Sequence, residues 1–123
     1  MASERYIAVV DDDRRVRESI QSVVESAGHA PLLFASAEEF LHSNELDVTS
    51  CVITDVRMSG MDGIELQRRI RARHPLLPVI FITGHDDTRI RRRAIEGGAT
   101  DFMYKPFDGA DLLGAIHRAL DKS

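Results

Sequence analysis

The chain alternates, five times over, between a short apolar run and a longer stretch with helical spacing. The runs are "YIAVV" (6–10), "APLLFA" (30–35), "CVITD" (51–55), "PVIFIT" (78–83) and "TDFMY" (100–104). Most are apolar at consecutive positions instead of every second one, as in strands covered on both faces. Between them, Val16, Ile20, Val23, Val24 and Ala27 fall on one helical stripe, with Gly28 placed to end it. "SAEE" (36–39) has the form of a capping box. "DGIELQRRIRARH" (62–74) starts at a capping Asp and stops before Pro75. "DDTRIRRRAIEGG" (86–98) has a thin apolar face of Ile90, Ala94 and Ile95. "DGADLLGAIHRAL" (108–120) puts Leu112, Leu113, Ile116 and Leu120 on one side. Five strands alternating with five helices predict an α/β fold: a parallel sheet with right-handed crossovers and helices on both faces. The functional crevice of such a sheet lies at the carboxyl ends of its strands.

No repeat, low-complexity tract or linker interrupts the 123 residues, so 1–123 reads as one domain with no effector domain beside it. Cys51 is the one cysteine, which rules out an internal disulfide; inside an apolar run it reads as a small buried hydrophobe. No apolar stretch reaches the ~18–20 residues that span a bilayer. "MASERY" lacks a signal-peptide core, and a cytoplasmic location is expected, with no membrane partner. The net charge of −4 argues against direct nucleic-acid binding by this domain. Basic charge is nevertheless clustered. "RRIRAR" (68–73) and "RIRRR" (89–93) together hold eight of the 16 Lys and Arg, the first read as plain surface and the second as a candidate interface. The five histidines (His29, His42, His74, His85, His117) show no metal spacing and read as surface residues, with His85 near the predicted crevice.

At the predicted carboxyl ends stand Asp11, Asp12 and Asp13 after the first strand, Asp55 ending the third, Thr83 ending the fourth and Lys105 after the fifth. Two carboxylates ~4 Å apart repel by about 4 kcal/mol at an effective dielectric of 20. Such a cluster needs a cation or a raised pKa. A hard divalent ion with oxygen ligands, Mg²⁺ (or Mn²⁺), is the natural counter-ion. A carboxylate beside it can attack phosphorus to form an acyl phosphate. A lysine supplies a point charge, and a hydroxyl a hydrogen bond, to a phosphoryl oxygen. Asp13 reads as a helix-start acid favoured by the helix dipole.

The motifs "VVDDD", "ITDVRMSGMDGIEL", "VIFITGHDD" and "GATDFMYKPF", in this order and each at a predicted strand end, resemble the receiver domain of bacterial two-component response regulators, closest to the FixJ-like class. The resemblance covers essentially the whole chain. It implies a flavodoxin-like, doubly wound five-stranded sheet of order 2-1-3-4-5. It implies Asp55 as phosphoacceptor for a sensor histidine kinase or phosphotransfer protein. It further implies that Asp12 binds Mg²⁺ directly, Asp11 through water, and Asp55 and the Arg57 carbonyl as well. Thr83 and Lys105 would contact the phosphoryl group, Phe102 would hold the switch-aromatic position, and Lys105-Pro106 would be cis. The implied protein is a phosphorelay switch and not an enzyme in the usual sense, since it promotes only its own phosphorylation and dephosphorylation. Its output, transcriptional by resemblance, would pass through the face of the fourth helix, fifth strand and fifth helix. That face could also form a homodimer, with "RIRRR" pairing acids such as Asp101 or Asp111 of a second copy, or it could meet a partner's acidic patch.

Two departures from the family pattern stand out. Ser59 replaces the common proline of "MPGMDG", and Arg57 and His85 flank the implied phosphoryl position. Two other readings compete with this one. A Mg²⁺-dependent phosphatase with an aspartyl nucleophile would carry a second acid two residues on, where this chain has Arg57. A degenerate interaction module would have lost an acid, the threonine or the lysine, and none is lost.

Overall fold

Each apolar run forms a strand because its alternate residues face two different helical layers. The computed structural model describes residues 4–121. Among these, the order is β1 (Tyr6–Val10), α1 (Arg14–Ser26), β2 (Ala30–Phe34), α2 (Ala37–His42), β3 (Thr49–Thr54), α3 (Gly63–Arg73), β4 (Val79–Thr83), α4 (Thr88–Glu96), β5 (Asp101–Tyr104) and α5 (Gly109–Asp121). All strand pairs are parallel, in the order β2-β1-β3-β4-β5, as expected. Ile7, Val9, Cys51, Ile53, Ile80 and Ile82 point to the side of α1 and α5, where they meet Ile20, Val24, Leu112 and Ile116. Ala8, Val10, Val52, Val79 and Phe81 point the other way, toward Phe40, Leu66, Ile70 and Ala94 of α2, α3 and α4. Full burial of each Ile or Phe contributes about 1.5–3 kcal/mol, so both layers are firmly attached to the central strands.

The two edge strands are less covered than their unbroken apolar sequence suggests. β2 and β5 are mostly half-buried, and Leu33 and Tyr104 are 37% and 38% exposed, because each strand has a neighbour on one side alone. β3 starts at Thr49, two residues earlier than predicted, after an unpredicted 3₁₀ turn at Leu46–Val48. In α4 only Ala94 is fully buried. Ile95, expected on the apolar face, is 50% exposed, since it lies about 100° around the helix from Ala94.

Local signals set the helix ends. Asp13 Oδ1 accepts the Arg15 and Val16 N–H groups at the start of α1, as its helix-start reading requires. Ser36 and Asp62 cap α2 and α3 by accepting the N–H groups of Glu39 and Glu65. Gly28 has φ +83°, the left-handed conformation that ends α1 without a side-chain clash. His29 and His74, expected as plain surface, are half-buried instead. His29 Nδ1 accepts the Arg5 N–H at 3.1 Å, and His74 Nε2 lies 2.8 Å from Asp47 Oδ1. Among the described residues no helix is long and apolar enough to cross a membrane.

Candidate functional site

The sheet order makes the parallel strands β1 and β3 neighbours, and the strand order reverses between them, leaving a crevice at their carboxyl ends. Val10 pairs with Thr54, and the Asp55 N–H donates to the Val10 carbonyl at 3.1 Å. The residues following both strands therefore sit side by side. One carboxylate oxygen from each of Asp11, Asp12 and Asp55 falls within 4.8 Å of the other two. Asp11 and Asp55 are buried, at 1% and 6% exposure, whereas Asp12 is exposed. Two buried carboxylates and a solvent-facing third could hold a cation that approaches from the solvent side.

Lys105, carried in from the end of β5, answers the charge. Its Nζ donates to Asp55 Oδ2 at 2.7 Å and forms an ion pair with Asp11 Oδ2 at 3.1 Å. The Lys105-Pro106 peptide bond is cis, as the resemblance implied. Burial alone would lower the Lys105 amine, but its hydrogen bond to Asp55 and the charge of Asp11 outweigh that, and its pKa is raised. For Asp11 the balance differs. Burial pushes its carboxyl above the usual range, and the Asp13 N–H and Lys105 recover only part of the cost. Buried Asp11 Oδ2 meets Lys105 as an ion pair and has no hydrogen-bond partner among the described residues.

The remaining contacts fix orientation. Asp13 N–H donates to Asp11 Oδ1 at 2.8 Å, and Val56 N–H donates to Asp55 Oδ1 at 2.7 Å. Arg17 Nη1 donates to the Asp11 carbonyl at 2.7 Å. Gly63, at the start of α3, runs so close to the Asp55 carbonyl that a Cβ would overlap its oxygen. Sequence reasoning missed these contacts, and backbone donors leave no residue-type signal. Thr83 is buried at the end of β4, and its Oγ1 accepts the His85 N–H at 3.2 Å. Phe102 is half-buried, 5.9 Å from the Phe81 ring and edge-on to Tyr104 at 5.5 Å. The Arg57 side chain lies beyond the acids, with Nη2 3.8 Å from Asp87 Oδ2.

The donor set fits the expected metal. Three carboxylates offer hard oxygens, and an undonated buried oxygen is one a divalent ion can use. Asp11, Asp12 and Asp55 are the residues that could hold Mg²⁺ or Mn²⁺, with water completing the shell.

Within the chain, Arg118 of α5 binds Asp101 twice, at 3.2 Å each. The arginines of "RRIRAR" are all exposed, as the plain-surface reading expects. Arg68 and Arg69 pair with Glu65, whose carboxyl they hold down at about 2, and Arg71 donates to the Gly97 carbonyl.

Comparison with known proteins agrees with this geometry. Residues 7–117 match the family model described as the response regulator receiver domain. The chain is 39% identical over 121 residues to nodulation protein W of Bradyrhizobium diazoefficiens, covering 98% of this chain and 53% of that protein. It is 38% identical over 120 residues to the transcriptional regulatory protein FixJ of the same organism, covering 98% of this chain and 58% of that one. The crystal structure of FixJ-N superposes with a TM-score of 0.86 at 36% identity, over 98% of this chain and 96% of that one. The chain thus spans a little over half the length of these two relatives.

Proposed function

The chain belongs to the response regulator receiver family, and from that premise we propose that it is a Mg²⁺-dependent phosphoacceptor switch whose reactive group is Asp55. The observation that carries this reading is the Lys105 ammonium set between Asp55 and Asp11, with Asp12 completing the acid cluster.

A carboxylate oxygen of Asp55 attacks phosphorus. A P–O bond forms as the bond to the donor, a phosphohistidine nitrogen of a sensor kinase or phosphotransfer protein, breaks. Val56 N–H fixes the attacking carboxylate by holding Oδ1. Asp11, Asp12, Asp55 and the Arg57 carbonyl would hold a divalent cation, which would supply charge neutralisation for the phosphoryl oxygens. Lys105 then pairs with a phosphoryl oxygen, and Thr83 turns its hydroxyl from accepting the His85 N–H to donating to the phosphoryl group. Movement of Thr83 leaves room for the half-buried Phe102 to turn inward, altering the α4–β5–α5 face. Phosphorylation shifts a pre-existing equilibrium, because added charge favours the state that binds it. That face transmits the signal to a partner, a homodimer or an output domain, transcriptional as in FixJ. The chain turns over no separate substrate, and its place of work is the cytoplasm.

The test is incubation with acetyl phosphate and Mg²⁺, read by intact mass. A one-phosphoryl adduct is expected on the wild type and not on Asp55→Asn. An equal adduct on both proteins, or none on the wild type, refutes the assignment.

A further inference from the structure

Asp12 is the exposed member of the acid cluster, and a backbone strap is what holds it. Its Oδ2 accepts the Ser59 N–H at 3.2 Å, the one hydrogen bond to its side chain among the described residues. Two residues on, the Met61 N–H donates to Glu38 Oε2 of α2 at 2.9 Å. Gly60 between them has φ +79°, and a Cβ there would overlap Glu38 Oε2. Residues 59–61 are therefore strung between α2 and the acid cluster, with a turn whose positive φ favours glycine. The Met61 N–H also holds the Glu38 carboxyl below its ordinary range, as a hydrogen bond to the ionised form does.

We propose that Glu38 and the Ser59 N–H are positioning groups for the divalent-cation site, acting through residues 59–61 to orient Asp12. An exposed carboxylate without a partner samples several rotamers, and only some of them face the cluster. One donor from a pinned loop narrows that choice before the cation arrives. The contact is open to this chain because residue 59 is serine; a proline there would have no N–H to give. The Ser59 hydroxyl plays no part. The inference rests on the reading that Asp11, Asp12 and Asp55 hold a divalent cation.

The experiment titrates Mg²⁺ alone, without phosphodonor, into ¹⁵N-labelled protein and reads the dissociation constant from backbone amide shifts. Urea unfolding checks that each variant is folded. Outer contacts to metal ligands are worth about 10–100-fold in affinity. A single neutral donor on an exposed ligand belongs at or below the bottom of that range, about three- to tenfold. Ser59→Pro and Glu38→Ala weaken Mg²⁺ by that factor, whereas Ser59→Ala, which keeps the N–H, and Glu38→Gln, which keeps an acceptor oxygen, bind as the wild type does. Wild-type affinity in both Ser59→Pro and Glu38→Ala overturns the strap while leaving the cation site intact. Equal weakening by Ser59→Ala and Ser59→Pro overturns it too, since the hydroxyl would then be responsible. Wild-type affinity in Asp12→Asn overturns the cation site, and the strap with it.

Discussion

Replacing Asp11 with Asn should make the metal-free protein more stable, although Asp11 belongs to the functional cluster. The carboxylate is 1% exposed and lies within 4.8 Å of oxygens on Asp12 and Asp55. At that separation each like-charge pair costs about 3.5 kcal/mol at an effective dielectric of 20, and about 1 kcal/mol where water screens the exposed Asp12. The Lys105 contact at 3.1 Å returns about 5 kcal/mol on the same scale. Attraction and repulsion nearly cancel, which leaves the cost of burying a charge, several kcal/mol per ion. Asn keeps an oxygen for the Asp13 N–H, and Lys105 keeps Asp55 as partner. Allowing for the weaker hydrogen bond to a neutral acceptor, the net gain is about 2 kcal/mol. In urea this moves the midpoint upward by about 1 M.

The pH dependence has a definite sign. Asp11 has its folded pKa raised, so the unfolded chain loses this proton first as pH rises from about 3.8. Wild-type stability from this group is therefore undiminished below 3.8 and falls as pH climbs to the folded value, whereas Asp11→Asn has no such slope. Mg²⁺ reverses the comparison. At a hundred times its dissociation constant the ion stabilises the wild type by about 2.7 kcal/mol, and the variant, short of one acid, gains less. The assay is urea unfolding in EDTA and in Mg²⁺ at several pH values. A variant less stable than wild type in EDTA at neutral pH, or one gaining as much from Mg²⁺, would refute the electrostatic account.

Gly63→Ala should cost about 2–3 kcal/mol by overpacking, because its Cβ would overlap the Asp55 carbonyl oxygen; an unchanged melting transition would mean that the loop yields freely. Asp13→Ala should cost about 1 kcal/mol as a lost helix cap, while leaving Mg²⁺ affinity unchanged because its N–H to Asp11 survives; isothermal titration beside urea unfolding separates the two effects. Cys51 is fully buried with its thiol pushed up to about 12, so a thiol reagent should modify it only as fast as the protein opens; rapid labelling under native conditions contradicts that burial.

The residues that were legible in the sequence carry their signal locally. Asp13, Ser36 and Asp62 announced helix starts because a short polar side chain reaches its own backbone donors within three residues. Asp11, Asp12, Asp55, Thr83 and Lys105 were legible as a set because a parallel sheet brings every strand's carboxyl end to one edge. The uneven cover on β2 and the outward turn of Ile95 were not, since burial at those places depends on what lies alongside. Arg118 holding Asp101 across 17 residues was equally hidden, since nothing local in the sequence brings α5 against β5.

The sequence by itself determined the strand–helix alternation, the strand ends, the caps and the chemical types gathered at the crevice. These follow from periodicity and side-chain chemistry, which act over a few residues. Tertiary structure alone decided how the acids divide their tasks: Asp11 buried with an undonated oxygen, Asp55 clamped by Val56 and Lys105, and Asp12 left exposed on the Ser59 strap. The last contact joins residues 47 apart. Its donor is a backbone N–H, a group almost every residue owns, so only the path of the folded loop could select it.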